Sequence, residues 1–87
     1  MNPKKQYIKN LAIYLTNQGK TMSGFDLAKN LNHNNFKTNY GTNYSGKRGT
    51  YTLVKSVYKD LVKLGQQYYA DKVALAFVKK NGTYAYL

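Results

Sequence analysis

The sequence predicts a mainly helical α+β domain in which three helices form the core and a β-hairpin ends the chain. Three segments place apolar residues on one helix face, and the first follows the spacing i, i+3, i+4 and i+7. The dipeptide Asn81-Gly82 is typical of a tight hairpin turn, and Tyr84-Ala85-Tyr86 after it is strand-like. At 87 residues the chain has the length of one small domain, so we expect a single unit over residues 1–87.

The first helix is predicted over residues 3–18. Asn2 suits the N-cap position, Pro3 suits the first helical position, and Gly19 suits the C-terminal end. The apolar face of this helix consists of Ile8, Leu11, Ala12 and Leu15.

The second helix is short and is predicted over residues 23–31. It begins with Ser23 and Asp26, which resemble a capping box. Its apolar face consists of Leu27, Ala28 and Leu31. Residues 20–22, between the first two helices, are expected to form a brief extended piece.

Residues 47–65 contain the most clearly amphipathic helix, predicted over residues 50–64. Thr50 is expected to cap this helix and Gly65 to end it. The apolar half, which we expect to face the core, consists of Tyr51, Val54, Val57, Tyr58, Leu61, Val62 and Leu64. The polar half carries lysines at i, i+4 and i+8, namely Lys55, Lys59 and Lys63.

Residues 32–49 are rich in Asn, Gly and Tyr and show neither a helical nor a strand period, so they are predicted to form a loop. A loop of this length in a small domain is uncommon and is usually functional or mobile. We expect Phe36, together with Tyr40 or Tyr44, to attach the loop to the core.

The C-terminal segment allows two interpretations before its hairpin. A fourth short helix over residues 70–77 fits the spacing of Ala70, Val73, Ala74 and Phe77, and a strand fits the alternation of Val73, Leu75 and Phe77. The alanine content favours the helix. The hairpin that follows is expected to pair Lys80 with Thr83 and Val78 with Ala85.

Positive charge is the strongest signal in the composition. The chain has 14 Lys and Arg residues against 3 acidic ones, which gives a formal net charge of +11 at pH 7. A surplus this large in a small domain is typical of nucleic-acid-binding proteins. Codon usage in an A/T-rich genome explains a preference for Lys over Arg, but it does not explain why Glu is absent.

The residue types present argue against an enzyme, a metal site and a cofactor. His33 is the only histidine, there is no cysteine, and the acidic side chains are those of Asp26, Asp60 and Asp71. General acid–base catalysis usually needs a histidine or paired carboxylates, and zinc or calcium needs more ligands than these. We expect His33 to be a solvated loop residue.

Neither a membrane span nor a secretory leader is predicted. No run of apolar residues is long enough to cross a bilayer, and Lys9 and Asn10 interrupt the apolar residues near the N-terminus. We therefore expect a cytoplasmic protein that does not bind membranes.

A nucleic-acid-binding function uses the residue types that the chain contains. Lys, Arg, Asn, Ser, Thr and Tyr side chains bind phosphates, and bases are read in the major groove by side chains on a helix. These types are concentrated in the predicted loop, at the start of the amphipathic helix and at the hairpin. The candidate DNA-contacting residues are Lys37, Asn39, Tyr40, Asn43, Tyr44, Lys47, Arg48, Thr52, Lys55, Ser56, Lys59, Lys79 and Lys80.

Several tyrosines outside the predicted core faces also suit single-stranded nucleic acid, whose bases stack on aromatic rings beside basic residues. They are Tyr40, Tyr44, Tyr68, Tyr69, Tyr84 and Tyr86. Double-stranded DNA is the favoured partner, single-stranded DNA is the second, and RNA is the least favoured.

The order of predicted elements resembles a winged-helix DNA-binding domain. By this resemblance residues 23–31 are like the supporting helix, residues 50–64 are like the recognition helix, and residues 79–82 are like the tip of the wing. Thr21-Met22 is like the small third strand. The resemblance implies DNA binding, and small basic winged-helix proteins are typical of phages, plasmids and mobile elements.

The sequence departs from the winged-helix pattern in the length of the loop over residues 32–49 and in a helix before the wing. A protein-interaction module is the alternative function. It would be a phage- or plasmid-encoded adaptor or inhibitor whose basic face binds an acidic protein. A basic peptide acting on anionic membranes is the third interpretation, and the folded pattern argues against it.

Overall fold

A computed structural model describes residues 1–45 and 47–78, which form four helices and two short strands. In chain order these are α1 (Pro3–Asn17), β1 (Met22–Ser23), α2 (Gly24–His33), α3 (Lys47–Lys63), α4 (Gln67–Ala76) and β2 (Phe77–Val78). The prediction of a mainly helical fold is confirmed. The predicted hairpin at Asn81-Gly82 lies outside the described residues.

The predicted caps of the first two helices are present. The Asn2 side chain accepts a hydrogen bond from the Lys5 backbone N–H at 2.8 Å, and the Ser23 hydroxyl accepts one from that of Asp26 at 3.1 Å. These bonds satisfy donors that the first helical turn leaves without a partner. Because α2 continues to His33, this exposed histidine belongs to the last helical turn and not to the loop.

The third helix begins at Lys47 rather than at residue 50, and Thr50 is not its cap. Thr50 is 0% exposed, and its hydroxyl donates to the Gly24 carbonyl oxygen at 3.0 Å. The hydroxyl therefore joins α3 to the start of α2. Gly65 ends the helix as predicted, with a φ of +73° that favours glycine.

The helical interpretation of the next segment is confirmed, and α4 begins at Gln67, earlier than predicted. The strand interpretation is wrong for Val73 and Leu75, because the buried side chains of α4 pack at a helical spacing against α1 and α3. The chain becomes extended only at β2. There Phe77 pairs with Met22 of β1 in a parallel register. Met22 is the part of the extended piece predicted over residues 20–22 that forms a strand.

The core lies where α4 packs against α1 and α3, and α2 packs on α3. Its largest fully buried apolar side chains are those of Phe77, Ile8, Leu27, Leu31, Leu61, Val54, Val57 and Val73. The buried face of α3 is narrower than predicted, since Tyr51 and Val62 are 37% and 43% exposed, and Leu64, which follows the helix, is 59% exposed. The neighbouring helices cover only the side of α3 that carries the buried valines and Leu61.

Candidate nucleic-acid interface

The face of α3 that points away from the core is basic. Thr52 and the three lysines Lys55, Lys59 and Lys63 are exposed, and Ser56 is half-buried at the edge of this face. We call the three lysines the lysine row. With a rise of 1.5 Å per residue, the row extends along about 12 Å of the helix. An α-helix with its side chains is about 10–12 Å wide, which the DNA major groove admits.

The lysine row differs from most other lysines in the described part of the chain. Its ammonium groups make no hydrogen bond or ion pair with a described residue, and the same is true of Lys20. By contrast, the ammonium groups of six lysines lie against carbonyl, carboxylate, amide, hydroxyl or aromatic groups of the protein. These six are Lys4, Lys5, Lys9, Lys29, Lys37 and Lys72.

Acidic side chains compensate little of the charge of α3. Residues 27–59 contain no Asp or Glu, and the helix has a single carboxylate, that of Asp60. Lys5 of α1 binds this carboxylate, with Nζ and Oδ2 2.7 Å apart. The hydrogen bond from Lys5 holds the pKa of Asp60 below its ordinary value, and the nearby charge of Lys63 acts in the same direction. Because Asp60 pairs with Lys5 of α1, its carboxylate compensates little of the positive charge of the lysine row.

Hydrogen bonds attach the loop between α2 and α3 to the helices. Asn32 donates from Nδ2 to the Tyr44 carbonyl oxygen at 2.7 Å and accepts from the Tyr44 N–H at Oδ1, at 2.8 Å. The amide thereby satisfies both backbone groups of Tyr44, as a paired strand residue would. Lys4 of α1 donates to the Lys37 carbonyl oxygen at 2.6 Å. The loop is therefore held at both ends and is not a free connection.

Phe36 and Tyr44 anchor the loop, which agrees with the expectation of Phe36 together with Tyr40 or Tyr44. Phe36 packs on Tyr7 of α1, with ring centroids 4.9 Å apart. Tyr44 is 6% exposed, and its ring lies beside Gly49 of α3. Because this ring is buried, Tyr44 is a loop anchor and not the exposed base-stacking residue that the sequence suggests. Tyr40 is 93% exposed and therefore does not anchor the loop.

The other candidate residues of the loop are exposed. The Lys37 ammonium donates to Asn43 Oδ1, which holds the two side chains together, and Asn39 lies between them in the chain. Lys47 and Arg48 lie in the first turn of α3 and not before it. The candidate residues Lys79 and Lys80 of the predicted wing lie outside the described residues.

The tyrosines of α4 are less free than the sequence suggests. Tyr68 is 67% exposed, but the Lys72 ammonium lies 4.9 Å from its ring centroid. Tyr69 is half-buried, and the Lys9 ammonium lies 4.3 Å from its ring centroid. One face of each ring is therefore occupied by a lysine. Tyr84 and Tyr86 lie outside the described residues.

No sequence pattern indicated the roles of Asn32 and Lys4. Both residues hold the loop through contacts with residues far away in the chain. An Asn near the end of a helix and a Lys near the start of another are ordinary surface residues by pattern. The role of Asn32 could be predicted only from the path of the loop, which brings Tyr44 back to α2.

The described residues provide no metal site, because no three His, Cys, Asp or Glu side chains among them are grouped to hold an ion. None of the helices in this part of the chain has the length and apolar character needed to cross a membrane. No protein-family model, curated protein or solved structure matches the chain. The charge and geometry of the interface therefore carry the functional proposal.

Proposed function

We propose that this protein is a non-enzymatic DNA-binding protein that contacts DNA through α3 and the loop before it. The lysine row is the observation that supports this proposal most strongly. Its ammonium groups have no protein partner among the described residues, so a phosphate can approach them without an internal ion pair being broken. Each phosphate that they neutralise releases condensed counterions, which favours binding.

The neighbouring residues suit the same ligand. Thr52 and Ser56 place hydroxyl groups beside Lys55 and Lys59, and such side chains bind phosphates or base edges. The exposed Asn39 and the hydrogen-bonded pair of Lys37 and Asn43 add polar groups from the loop, and Lys47, Arg48, Lys79 and Lys80 complete the proposed contact residues. Double-stranded DNA is the partner that a helix of this kind would bind in the major groove.

A winged-helix arrangement is part of the proposal. The order α1, β1, α2 and α3 is the order expected of such a domain, with α3 as the recognition helix. The long loop between α2 and α3 is one departure from that pattern. Helix α4 directly after α3 is the other.

Fluorescence anisotropy with labelled duplex DNA, single-stranded DNA and RNA over a series of salt concentrations tests the function. We expect duplex binding at low salt and a logarithmic salt dependence with a slope of several negative units, about 0.9 for each neutralised phosphate. Absence of binding to all three nucleic acids at low salt would contradict the proposal.

Exposed apolar residues at the C-terminal end of α3 and directly after it favour a protein-interaction module as the second candidate function. Val62 and Leu64 are 43% and 59% exposed and lie next to Lys63 in the chain. Apolar side chains beside lysines suit an acidic protein surface with an apolar centre. This function predicts a stable complex with an acidic protein that survives nuclease treatment. DNA-mediated association would be lost under the same treatment.

A further inference from the structure

The turn over residues 38–42, which we call the Tyr40 turn, holds one aromatic ring away from the rest of the protein. Backbone bonds close the turn, from Thr38 N–H to the Thr42 carbonyl oxygen at 2.8 Å and from Gly41 N–H to the Thr38 carbonyl oxygen at 2.9 Å. The two threonine hydroxyl oxygens lie 2.7 Å apart, which adds a side-chain bond. Gly41 has a φ of +77°, a conformation that glycine adopts without strain.

Folding does not explain the tyrosine at the tip of this turn. The Tyr40 side chain is 93% exposed, so it contributes almost no apolar burial to the core. Asn, Asp, Ser or Gly would serve the turn at least as well. An aromatic ring that a hydrogen-bonded turn presents to solvent is suited to contact a ligand. Because the turn is already ordered, binding through the ring costs little further conformational entropy.

The surroundings of the ring indicate the chemistry of this ligand. Lys37, Asn39 and Asn43 lie within three residues of Tyr40 in the chain and are exposed, and no acidic residue lies within the loop. A flat aromatic ligand with a nearby phosphate fits this arrangement, and nucleotides combine the two. In a continuous duplex each base is covered on both faces by its neighbours. An aromatic side chain therefore stacks most readily on an unpaired base.

We infer that Tyr40 stacks on an unpaired base of bound DNA, so that the protein recognises DNA containing a single-stranded segment. This inference rests on the proposed DNA-binding function and deepens it. The lysine row then supplies phosphate contacts that single-stranded and double-stranded DNA both offer. The Tyr40 turn supplies a contact that only unpaired bases offer.

Anisotropy with an oligothymidylate of about 16 nucleotides, within the range of known single-strand site sizes, and with a duplex of equal length tests the inference. Tyr40→Ala is expected to weaken binding of the oligothymidylate by about 5- to 150-fold, the equivalent of one lost base stack. Duplex affinity and the salt slope of both forms are expected to stay unchanged, because the ring neutralises no phosphate.

Three further variants identify the interaction. Tyr40→Phe keeps the ring and is expected to bind like the wild type, whereas Tyr40→Leu removes the aromatic face and is expected to behave like Tyr40→Ala. Tyr14→Ala removes a 52% exposed tyrosine from α1 and is the matched control, with no expected effect. Equal thermal unfolding of the variants would show that the fold is retained.

The inference is overturned if Tyr40→Ala leaves oligothymidylate binding unchanged, or if it weakens oligothymidylate and duplex equally. It is also overturned if the wild type binds duplex but not the oligothymidylate, and then the proposed function still stands. A protein that binds neither form at low salt overturns both. Replacement of Lys55 and Lys59 tests the proposed function separately from the Tyr40 inference, because it should weaken binding of both the oligothymidylate and the duplex.

Discussion

The lysines on α1 and α4 differ from the lysines on α3 in what their charges contact. Lys9 and Lys72 lie over tyrosine rings of α4. Their ammonium groups also lie 3.4 Å from Gln66 Oε1, at the N-cap of α4, and 3.5 Å from Thr16 Oγ1 of α1. The lysine row on α3 makes no such contact with the described residues. On α1 and α4 the charge is part of helix packing, whereas on α3 it is available to a ligand.

This difference shows why net charge alone cannot locate a binding surface. A charge of +11 describes the whole chain, but lysines already bound to protein groups would have to exchange these contacts for a phosphate. The lysines without such contacts are the ones that we expect to dominate DNA affinity. The contrast is tested most directly by variants that remove equal charge from the two regions.

The largest effect is expected from Lys55→Ala combined with Lys59→Ala. A hydrogen bond to a charged group is worth about 1.5–3 kcal/mol, so the loss of two should weaken duplex binding by about 150-fold or more. The salt slope should become shallower by about 2 units, since each phosphate contact contributes about 0.9. Anisotropy titrations at several salt concentrations measure both quantities.

The matched control for this pair is Lys9→Ala combined with Lys72→Ala, which removes the same charge from α1 and α4. A clearly smaller loss of affinity and an unchanged slope are expected. Equal losses of affinity from the two double variants would mean that only the overall charge matters. This result would contradict the expectation that the lysines of α3 dominate DNA binding.

The next largest effect is expected on stability from Asn32→Ala. This variant tests whether the hydrogen bonds between Asn32 of α2 and Tyr44 hold the loop before α3 in place. This variant leaves the N–H and carbonyl groups of Tyr44 without their partner. We expect the free energy of unfolding to fall by about 1–3 kcal/mol, the cost of unsatisfied buried polar groups. Asn17→Ala, at an exposed position of α1, is the control for urea denaturation. Equal stability of the two variants would contradict the anchoring role.

A smaller loss of stability is expected from the Lys9→Ala and Lys72→Ala pair itself. Each lysine makes a cation–π contact at a partly exposed site, worth about 0.5–1 kcal/mol. The double variant should therefore lose about 1–2 kcal/mol, whereas the Lys55→Ala and Lys59→Ala pair should lose almost none. The order of the two double variants is therefore reversed between DNA affinity and stability, and chemical denaturation of both proteins measures the stability. A larger loss from the α3 pair would show that its lysines are structural.

The smallest effect concerns the ion pair between Lys5 and Asp60. Because the pKa of Asp60 is lower in the folded state, the pair contributes fully above about pH 4, the ordinary value, and loses its contribution as pH falls through the folded pKa. Asp60→Asn should melt slightly below the wild type at pH 6, and the difference should shrink as the pH falls below about 4. In a Lys5→Ala background the substitution should have little effect. A difference that persists at low pH would assign the effect to packing.

Local signals in the sequence predicted the helices well and the loop poorly. Asn2, Ser23 and Gly65 act within one turn of their own positions, so their roles follow from neighbouring residues. Thr50 does not cap α3, and its hydroxyl instead donates to the carbonyl oxygen of Gly24 in α2. Tyr44 likewise became an anchor through Asn32, a residue that pattern analysis does not connect to it.

By itself, the sequence determined that the domain is mainly helical, that it carries a large positive charge and that α3 has a lysine face. Periodicity, caps and composition are local properties, and they are the same wherever the helices pack. Tertiary structure decided which lysines keep a free ammonium group, that Tyr44 is buried and that Tyr40 is exposed. These outcomes depend on which groups meet across elements, and burial and pairing are properties of the packed chain.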